Sequence, residues 1–131
     1  MDERAAVVDA SAMIDLLAGL SAAAAVDARL DGVALHAPAH MDAEVLSGLG
    51  RLQRAGSISV AEVTRQVAVA AGAPIERHLL ADLLPGAWRR RSRLRLADAL
   101  YVELATALDV PLVTTDARLG RAARIAEVVT L

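Results

Sequence analysis

Four acidic residues, far apart in the chain, stand where a divalent metal site is expected. Asp9 and Asp116 each follow directly after a short apolar segment with strand character. Glu44 lies about one turn into a predicted helix, and Asp98 begins another, where the helix dipole favours a negative charge. Because ligands bind beyond the carboxyl ends of the strands in open parallel sheets, we expect these side chains to converge there. Carboxylate oxygens are the ligands that Mg²⁺ and Mn²⁺ prefer.

Each of these acids also has an ordinary structural explanation when it is taken alone. An aspartate after a strand is a common turn or capping residue, and Asp98 can simply cap its own helix. Glu44 has a close neighbour, Asp42, that fits a solvated helix face equally well. The prediction of a metal site therefore rests on the four residues as a set.

The segments around the acids predict a chain in which strands alternate with helices. Apolar runs predict short strands at about 5–9, 33–37, 112–114 and 128–131. The helical pattern predicts helices at about 11–17, 21–30, 40–55, 59–71, 75–91 (in two pieces around Pro85-Gly86), 98–108 and 118–125. Ser11 is the expected cap of the first helix, and Ser59 with Glu62 forms a capping box. The pattern predicts one α/β domain over residues 1–131, with a short, mostly parallel central sheet flanked by helices.

The composition excludes several kinds of chemistry. The chain has 131 residues and no cysteine, which rules out disulfides, thiolate zinc sites and cysteine nucleophiles. All 14 basic residues are arginine, so there is no lysine for a Schiff base or a P-loop. The apolar stretch from Leu16 to Val26 is interrupted by Gly19 and Ser21, and is too short to span a membrane. No secretory leader is evident, so we expect a cytoplasmic protein that does not insert into membranes.

The arginines are concentrated in one run just before Asp98, and the run consists of Arg89, Arg90, Arg91, Arg93 and Arg95. The functional interpretation is a rim that contacts the phosphates of a nucleic acid, while the alternative is a solvated helix end. For Trp88, next to the run, one interpretation is stacking on a base, and the more common one for a lone tryptophan is packing against the core. The histidines, His36, His40 and His78, are spaced too widely to predict a metal site and are interpreted as packing or surface residues.

Four segments resemble the motifs of a known family, in the same order along the chain. They are Val7-Val8-Asp9-Ala10-Ser11, Asp42-Ala43-Glu44-Val45-Leu46, Ala97-Asp98-Ala99-Leu100-Tyr101-Val102-Glu103-Leu104-Ala105 and Leu112-Val113-Thr114-Thr115-Asp116-Ala117-Arg118-Leu119. The family is that of the PIN domains, and the resemblance is strongest to the VapC-type toxins of toxin–antitoxin pairs.

The resemblance implies a PIN-like α/β domain that holds Mg²⁺ or Mn²⁺ with Asp9, Glu44, Asp98 and Asp116, supported by Ser11 and Thr114. It implies a metal-dependent endoribonuclease, the toxin of a type II system that inhibits growth or translation. It also implies a homodimer and a cognate VapB-type antitoxin. The apolar residues between Val60 and Leu84 are a candidate for that interface, and the alternative is that these helices simply pack on one another. Many relatives carry an acid or asparagine just after the fourth aspartate, where this chain has Ala117 and Arg118. The number of metal ions therefore stays open.

Two other classes with an aspartate after a strand are excluded, and two alternatives within the PIN fold stay open. A receiver domain needs a lysine late in the chain, and a haloacid-dehalogenase-type phosphatase needs an acid where this chain has Ser11. A PIN-fold nuclease that acts on DNA is one open alternative. A catalytically silent PIN-like module that only binds a partner is the other.

Overall fold

A parallel sheet of five strands forms the centre of the protein. The computed structural model describes residues 4–130. Its strands are β1 Ala5–Val8, β2 Ala34–Pro38, β3 Ile75–His78, β4 Leu112–Thr114 and β5 Ala126–Val128. Their order across the sheet is β3-β2-β1-β4-β5, and every neighbouring pair runs parallel. The predicted α/β class is confirmed, and the sheet is wholly parallel among the described strands.

Seven α-helices of the described chain flank the sheet. They are α1 Ala10–Ala18, α2 Ala23–Leu30, α3 Met41–Arg54, α4 Val60–Gly72, α5 Leu84–Arg89, α6 Leu96–Leu108 and α7 Ala117–Ala122, with a 3₁₀ turn at Ala81–Leu83. Helices α1, α3 and α7 each follow closely after a strand: β1, β2 and β4 respectively. Because these strands are parallel, the three helices begin at the same edge of the sheet, where the acids were expected to meet.

The central strands are buried on both faces, which explains their uninterrupted apolar sequences. Val7 and Val8 of β1 and Leu112 and Val113 of β4 are completely buried. Helix α6 packs across β1, β2 and β4 and contributes Tyr101, which is 1% exposed and the largest of the fully buried side chains. Most other core side chains are aliphatic, chiefly Ala, Val and Leu.

The segment from residue 75 to 91 differs most from its prediction. Residues Ile75–His78 form strand β3, paired with β2 at the border of the sheet, and are not helical. The strand is only four residues long and buries one side chain, Ile75, so its periodicity is too weak to separate it from a helix. Helix α5 then passes through Pro85, which lies in its first turn and is tolerated there because no backbone donor is needed.

Smaller differences concern the ends of elements. Asp9, rather than Ser11, caps α1, because its carboxylate accepts the Ala12 amide. The Ser59 cap of α4 is confirmed, with the Glu62 amide donating to its hydroxyl at 3.1 Å. Strand β5 lies at Ala126–Val128, two residues before the predicted strand, whose last residue, 131, lies outside the described residues.

Gly86 of α5 leaves room for the Glu103 carboxylate of α6 to lie against it. A Cβ atom at this position would come within 2.0 Å of Oε1 of Glu103, on α6. Glu103 in turn holds Arg90, whose Nε donates to Oε2 at 3.0 Å. This close approach fixes the turn that carries the arginine run relative to α6 and Asp98.

Within residues 4–130, no single helix is both long enough and apolar enough to cross a membrane. Helices α1 and α2 together reach that length and composition, but the chain bends by 117° between them.

Candidate active site

Asp9 is the buried centre of the acidic edge. It follows β1 directly and is 5% exposed. Its Oδ1 accepts hydrogen bonds from Ser11 Oγ at 2.7 Å and from the Ala12 amide at 2.9 Å, and its Oδ2 accepts one from Thr114 Oγ1 at 2.5 Å. These donors hold the carboxylate in one orientation, and all of them are neutral. Within the part of the chain that the structure describes, no basic side chain forms an ion pair with Asp9.

Burial of an unneutralised carboxylate changes its protonation. Burial raises the pKa of Asp9 from 3.8 to about 6, while the hydrogen bonds from Thr114, Ala12 and Ser11 act in the opposite direction. The negative charge of Asp98 raises the pKa of Asp9 further, so these two acids, distant in sequence, lie near one another. Asp9 is therefore a buried carboxylate whose charge the protein itself does not balance.

Ser11 and Thr114 connect the ends of β1 and β4. Their hydroxyl oxygens lie 3.1 Å apart, and both donate to Asp9. The same oxygens accept backbone amides from the loop after β4: Thr115 donates to Ser11 at 3.2 Å and Asp116 donates to Thr114 at 3.0 Å. The two residues thus link Asp9 to the backbone at Asp116.

Glu44 is held by a tyrosine from the opposite helix. The Tyr101 hydroxyl donates to Glu44 Oε1 at 2.6 Å, and His40 Nε2 lies 3.6 Å from the same oxygen. Burial raises the pKa of Tyr101 well above its ordinary value, and the charges of Glu44 and Asp9 add to this, so the hydroxyl remains a donor. Asp42 points away instead and pairs with Arg77 at 3.1 Å. The structure therefore distinguishes the two α3 acids that are equivalent in the sequence.

Asp98 and Asp116 form the more open side of the group. Asp98 lies in the first turn of α6, with its side chain 23% exposed, and accepts a long contact of 3.4 Å from Arg95. Asp116 caps α7: its Oδ1 accepts the amides of Arg118 at 2.9 Å and Leu119 at 3.4 Å. Arg118 also approaches Asp116 through its side chain, at 3.4 Å. Both aspartates keep solvent access beside exposed arginine side chains.

The contacts join the four acids at one edge but leave space between them. Asp9 lies within electrostatic range of Asp98 and Tyr101, Thr114 links it to the Asp116 amide, and Tyr101 donates to Glu44. In the described chain, one group of three side chains has ligand atoms that all lie within 4.8 Å of one another, and this group lies elsewhere. No three of the four acids come that close together. Such spacing suits a cation that retains several water molecules and contacts only some of the carboxylates directly.

Comparison with known proteins identifies the architecture. A family model described as the PIN domain matches residues 6–125, which is most of the chain.

The chain belongs to the PIN-domain family.

Within the family it is of the VapC type, because it is 59% identical over 117 residues to a protein named Ribonuclease VapC3 of Mycobacterium tuberculosis. The match covers 88% of this chain and 85% of that relative.

Two solved structures share this PIN fold. The M. tuberculosis protein VapC20, described as a Sarcin-Ricin loop cleaving toxin, aligns with a TM-score of 0.65 and 18% identity over 89% of this chain and 94% of its own. A chain of a toxin–antitoxin complex from Klebsiella pneumoniae aligns with a TM-score of 0.60 and 14% identity over 93% of this chain and 95% of its own. At these identities the likeness concerns the fold alone.

The donor set of this PIN domain fits a hard divalent cation. Asp9, Glu44, Asp98 and Asp116 offer only carboxylate oxygens, and Asp9 is buried with neutral partners only. Mg²⁺ and Mn²⁺ prefer such oxygens over imidazole or thiolate ligands. The residues present therefore fit the ion that the family implies.

The arginine run does not act as one uniform charged surface. Arg90 pairs with Glu103 at 3.0 Å, Arg95 with Asp98 at 3.4 Å, and Arg91 lies 4.8 Å above the Trp88 ring. Trp88 is 57% exposed, so its predicted packing against the core is wrong. Arg89 and Arg93 make no ion pair within residues 4–130, and both line an open cleft of about 700 Å³.

Two contributors to this PIN-domain site are not evident from the sequence. Tyr101 lies in the core, and its hydroxyl also anchors Glu44. A signal was present, since Tyr101 is the only tyrosine of the chain and lies three residues after Asp98 on the same helix. His40 was assigned to packing or the surface, yet its Nε2 lies near Glu44 and 3.0 Å from the Ala97 carbonyl oxygen. No sequence signal separates it from the other histidines.

His36 and His78 correct another prediction. They were considered too far apart in sequence to belong to one site, but β3 brings them together on the sheet. His36 Nδ1 lies 2.9 Å from His78 Nε2, and 3.3 Å from Oε2 of Glu76.

Proposed function

We propose that this PIN-domain protein is a metal-dependent endoribonuclease that hydrolyses RNA phosphodiester bonds with Asp9, Glu44, Asp98 and Asp116. The observation that carries the proposal is Asp9, a buried carboxylate fixed by neutral donors, with the charge of Asp98 close by. Such a pair is stabilised when a cation lies between the charges. The name of the relative VapC3 supports RNA hydrolysis as the reaction.

Each acid contributes to the proposed site in a way that follows from its contacts. Asp9 is the fixed inner ligand, since Ser11, Ala12 and Thr114 leave it one orientation. Glu44 is fixed by the Tyr101 hydroxyl. Asp98 and Asp116 face solvent, where a phosphodiester can approach. A bound Mg²⁺ or Mn²⁺ supplies positive charge for the phosphate oxygens and the leaving group, and lowers the pKa of water.

The arginines beside the acids support RNA as the substrate. A small depression of about 100 Å³ is lined by Arg93, Arg95, Asp98 and Arg118, and it shares Arg93 and Leu94 with the cleft of about 700 Å³. A phosphate chain that follows this path passes from Arg89 and Arg93 to the carboxylates. We propose that Arg89, Arg90, Arg91, Arg93 and Arg95 border this path, with Arg89 and Arg93 as its main phosphate contacts.

The double substitution Arg89→Gln with Arg93→Gln is expected to weaken RNA binding and to reduce its salt dependence. Two phosphate contacts account for a decrease of about one to two in the slope of log affinity against log salt. Binding of labelled RNA in EDTA, followed by fluorescence anisotropy at several salt concentrations, measures this slope. Arg51→Gln with Arg54→Gln, at the exposed end of α3, is the matched control and should leave the slope unchanged. Equal slopes in both double variants would remove Arg89 and Arg93 from the RNA path.

The activity itself is tested with total bacterial RNA, which offers ribosomal and transfer RNA together. We expect cleavage with Mg²⁺ or Mn²⁺ and none in excess EDTA, because the carboxylates lack their cation. The products should carry no 2′,3′-cyclic phosphate, since water rather than the 2′-hydroxyl attacks the phosphorus. Genomic DNA from the same bacterium is tested in parallel. Cleavage of this DNA with the RNA left intact would favour the DNA-directed alternative. Intact RNA under all metal conditions would contradict the proposal and favour a silent, partner-binding domain.

We propose the following biological setting, which the resemblance to VapC-type toxins implies. The protein is a cytoplasmic toxin that inhibits growth or translation, it forms a homodimer, and a cognate VapB-type antitoxin blocks its site. Residues 1–131 act as one domain. The apolar residues exposed between Val60 and Leu84 support a protein interface: no residue of α4 is buried, Val60 is 64% exposed and Val69 is 55% exposed. Size-exclusion chromatography of the protein alone and with a co-expressed antitoxin separates these assemblies.

A further inference from the structure

Three metal-binding side chains lie together on strands β2 and β3, outside the carboxylate group. In the register of these strands, His36 pairs with Glu76, and Pro38 pairs with His78. Since partners in a parallel pair face the same side and residues two apart do so as well, all three side chains project from one face of the sheet. The ligand atoms of His36, Glu76 and His78 all lie within 4.8 Å of one another.

The distances are close to those of a coordination shell. His36 Nδ1 lies 2.9 Å from His78 Nε2 and 3.3 Å from Glu76 Oε2. In a tetrahedral zinc site with bonds of about 2.0–2.1 Å, neighbouring ligand atoms are about 3.3 Å apart. Small side-chain rotations are therefore enough to place an ion between the three atoms. The strand backbone does not need to move.

The surroundings of the three side chains allow an ion to enter and be held. The His36 side chain is 19% exposed, while that of Glu76 is 67% exposed and faces solvent. His78 is partly buried, and its ring tilts against that of His36 with centroids 5.1 Å apart. Two ligands are therefore pre-positioned, and the third can close over the ion from outside.

The ligand types distinguish this cluster from the carboxylate site. Two imidazole nitrogens and one carboxylate oxygen are the ligands of many zinc sites with an open fourth position. Imidazole favours Zn²⁺ and related transition ions, whereas an all-carboxylate set favours Mg²⁺ or Mn²⁺. The two sites are thus expected to select different cations.

We propose that His36, Glu76 and His78 form a binding site for Zn²⁺ or a similar transition metal ion, with a fourth position open to water. The ion links the border strand β3 to β2. This inference does not depend on the proposed ribonuclease activity, because it rests on a separate set of ligands.

The test uses untagged protein, since a polyhistidine tag would bind the same ion. Zn²⁺ is titrated by calorimetry into the wild type, His78→Gln and Asp98→Asn. We expect the wild type and Asp98→Asn to bind one Zn²⁺ with equal affinity, and His78→Gln to bind at least about tenfold more weakly. Loss of Zn²⁺ binding in Asp98→Asn, or full binding in His78→Gln, would overturn the proposal. Circular dichroism verifies that each variant is folded.

A second measurement uses the wild type alone and remains informative if His78→Gln does not fold. The chain has three histidines, so their ring signals are readily followed by NMR during Zn²⁺ addition. We expect the signals of His36 and His78 to shift and that of His40, beside Glu44, to stay in place. A shift of His40 without the other two would assign the ion to the carboxylates and overturn the proposal, as would no shift at all.

Discussion

Replacing Asp98 with asparagine is expected to decrease metal-dependent RNA cleavage by at least about 100-fold. The change removes a charged ligand but keeps the size of the side chain. Its cost for folding is small, because within residues 4–130 the Asp98 side chain accepts only a 3.4 Å contact from Arg95, whose side chain is 67% exposed. The loss should therefore appear in the cleavage rate and not in the amount of folded protein.

The matched control for Asp98→Asn is Asp42→Asn. Both aspartates lie in the first turn of a helix and both pair with an arginine, so the two variants undergo the same change in charge. Asp42 contacts Arg77, away from the other acids, and its variant should cleave at the wild-type rate. Single-turnover rates at saturating Mn²⁺ measure the difference, with circular dichroism to verify folding. Equal losses in both variants would show that the effect is unspecific, and wild-type activity of Asp98→Asn would remove this residue from the site.

The positions of the site acids could be predicted because they depend on topology more than on packing detail. Asp9 directly follows β1 and Asp116 lies two residues after β4, and these two strands are apolar, buried and adjacent in the sheet. Parallel strands that lie side by side must bring the residues after their ends to one edge. The common direction of the strands is sufficient to place these residues at one edge, and their adjacency brings Asp9 and Asp116 closer together.

The choice between Asp42 and Glu44 depends on information that one sequence does not contain. Both lie in the first turn of α3, on a helix whose rotation about its axis is set by packing against α1 and α4. That rotation directs Glu44 to Tyr101 and Asp42 to Arg77. From the residues alone the two acids are equivalent, and only the resemblance to PIN domains separated them.

The missed strand and the missed histidine cluster have one cause. Strand β3 is a short border strand with a single buried residue, so it carries little of the alternation that indicates a strand. Once Ile75–His78 is assigned to a helix, His78 has no reason to lie beside His36. The pairing of β2 with β3 is a tertiary contact between residues about 40 positions apart, and it alone brings the two histidines together.

Replacing Asp9 with asparagine is expected to make the metal-free protein more stable at neutral pH, by about 1–3 kcal/mol of unfolding free energy. Burial raises the pKa of Asp9 from 3.8 to about 6, so the ionised carboxylate is less favourable in the folded protein than in the unfolded chain. Asparagine removes the charge and keeps an oxygen that accepts from Ser11 and the Ala12 amide. Its amide group then faces Thr114, whose hydroxyl can rotate to accept.

The sign of the pH dependence follows from the direction of this shift. A carboxyl group with a raised folded-state pKa contributes stability that is fully present below its unfolded pKa, near 3.8. That contribution is lost as the pH rises to about 6 and beyond. Below pH 4 the Asp9 charge should therefore cause little difference in unfolding free energy between the wild type and Asp9→Asn. Between about pH 4 and 6 the unfolding free energy of the variant should increasingly exceed that of the wild type.

Added Mn²⁺ should reverse the order of stability, because a cation neutralises the ionised Asp9 and stabilises only the protein that retains this ligand. A ligand that binds the folded state alone stabilises it by about 2.7 kcal/mol at one hundred times its dissociation constant. Urea unfolding in EDTA and in Mn²⁺, from pH 4 to 8, measures both effects. Asp42→Asn retains Asp9, so it should respond to pH and to Mn²⁺ as the wild type does. If Asp9→Asn is less stable than the wild type in EDTA at neutral pH, the hydrogen bonds of Asp9 outweigh its burial. If Mn²⁺ stabilises both proteins equally, Asp9 is not a ligand. If the variant is the more stable protein in EDTA and the wild type is the more stable one in Mn²⁺, the ionised Asp9 carboxylate destabilises the metal-free fold and serves to bind the metal.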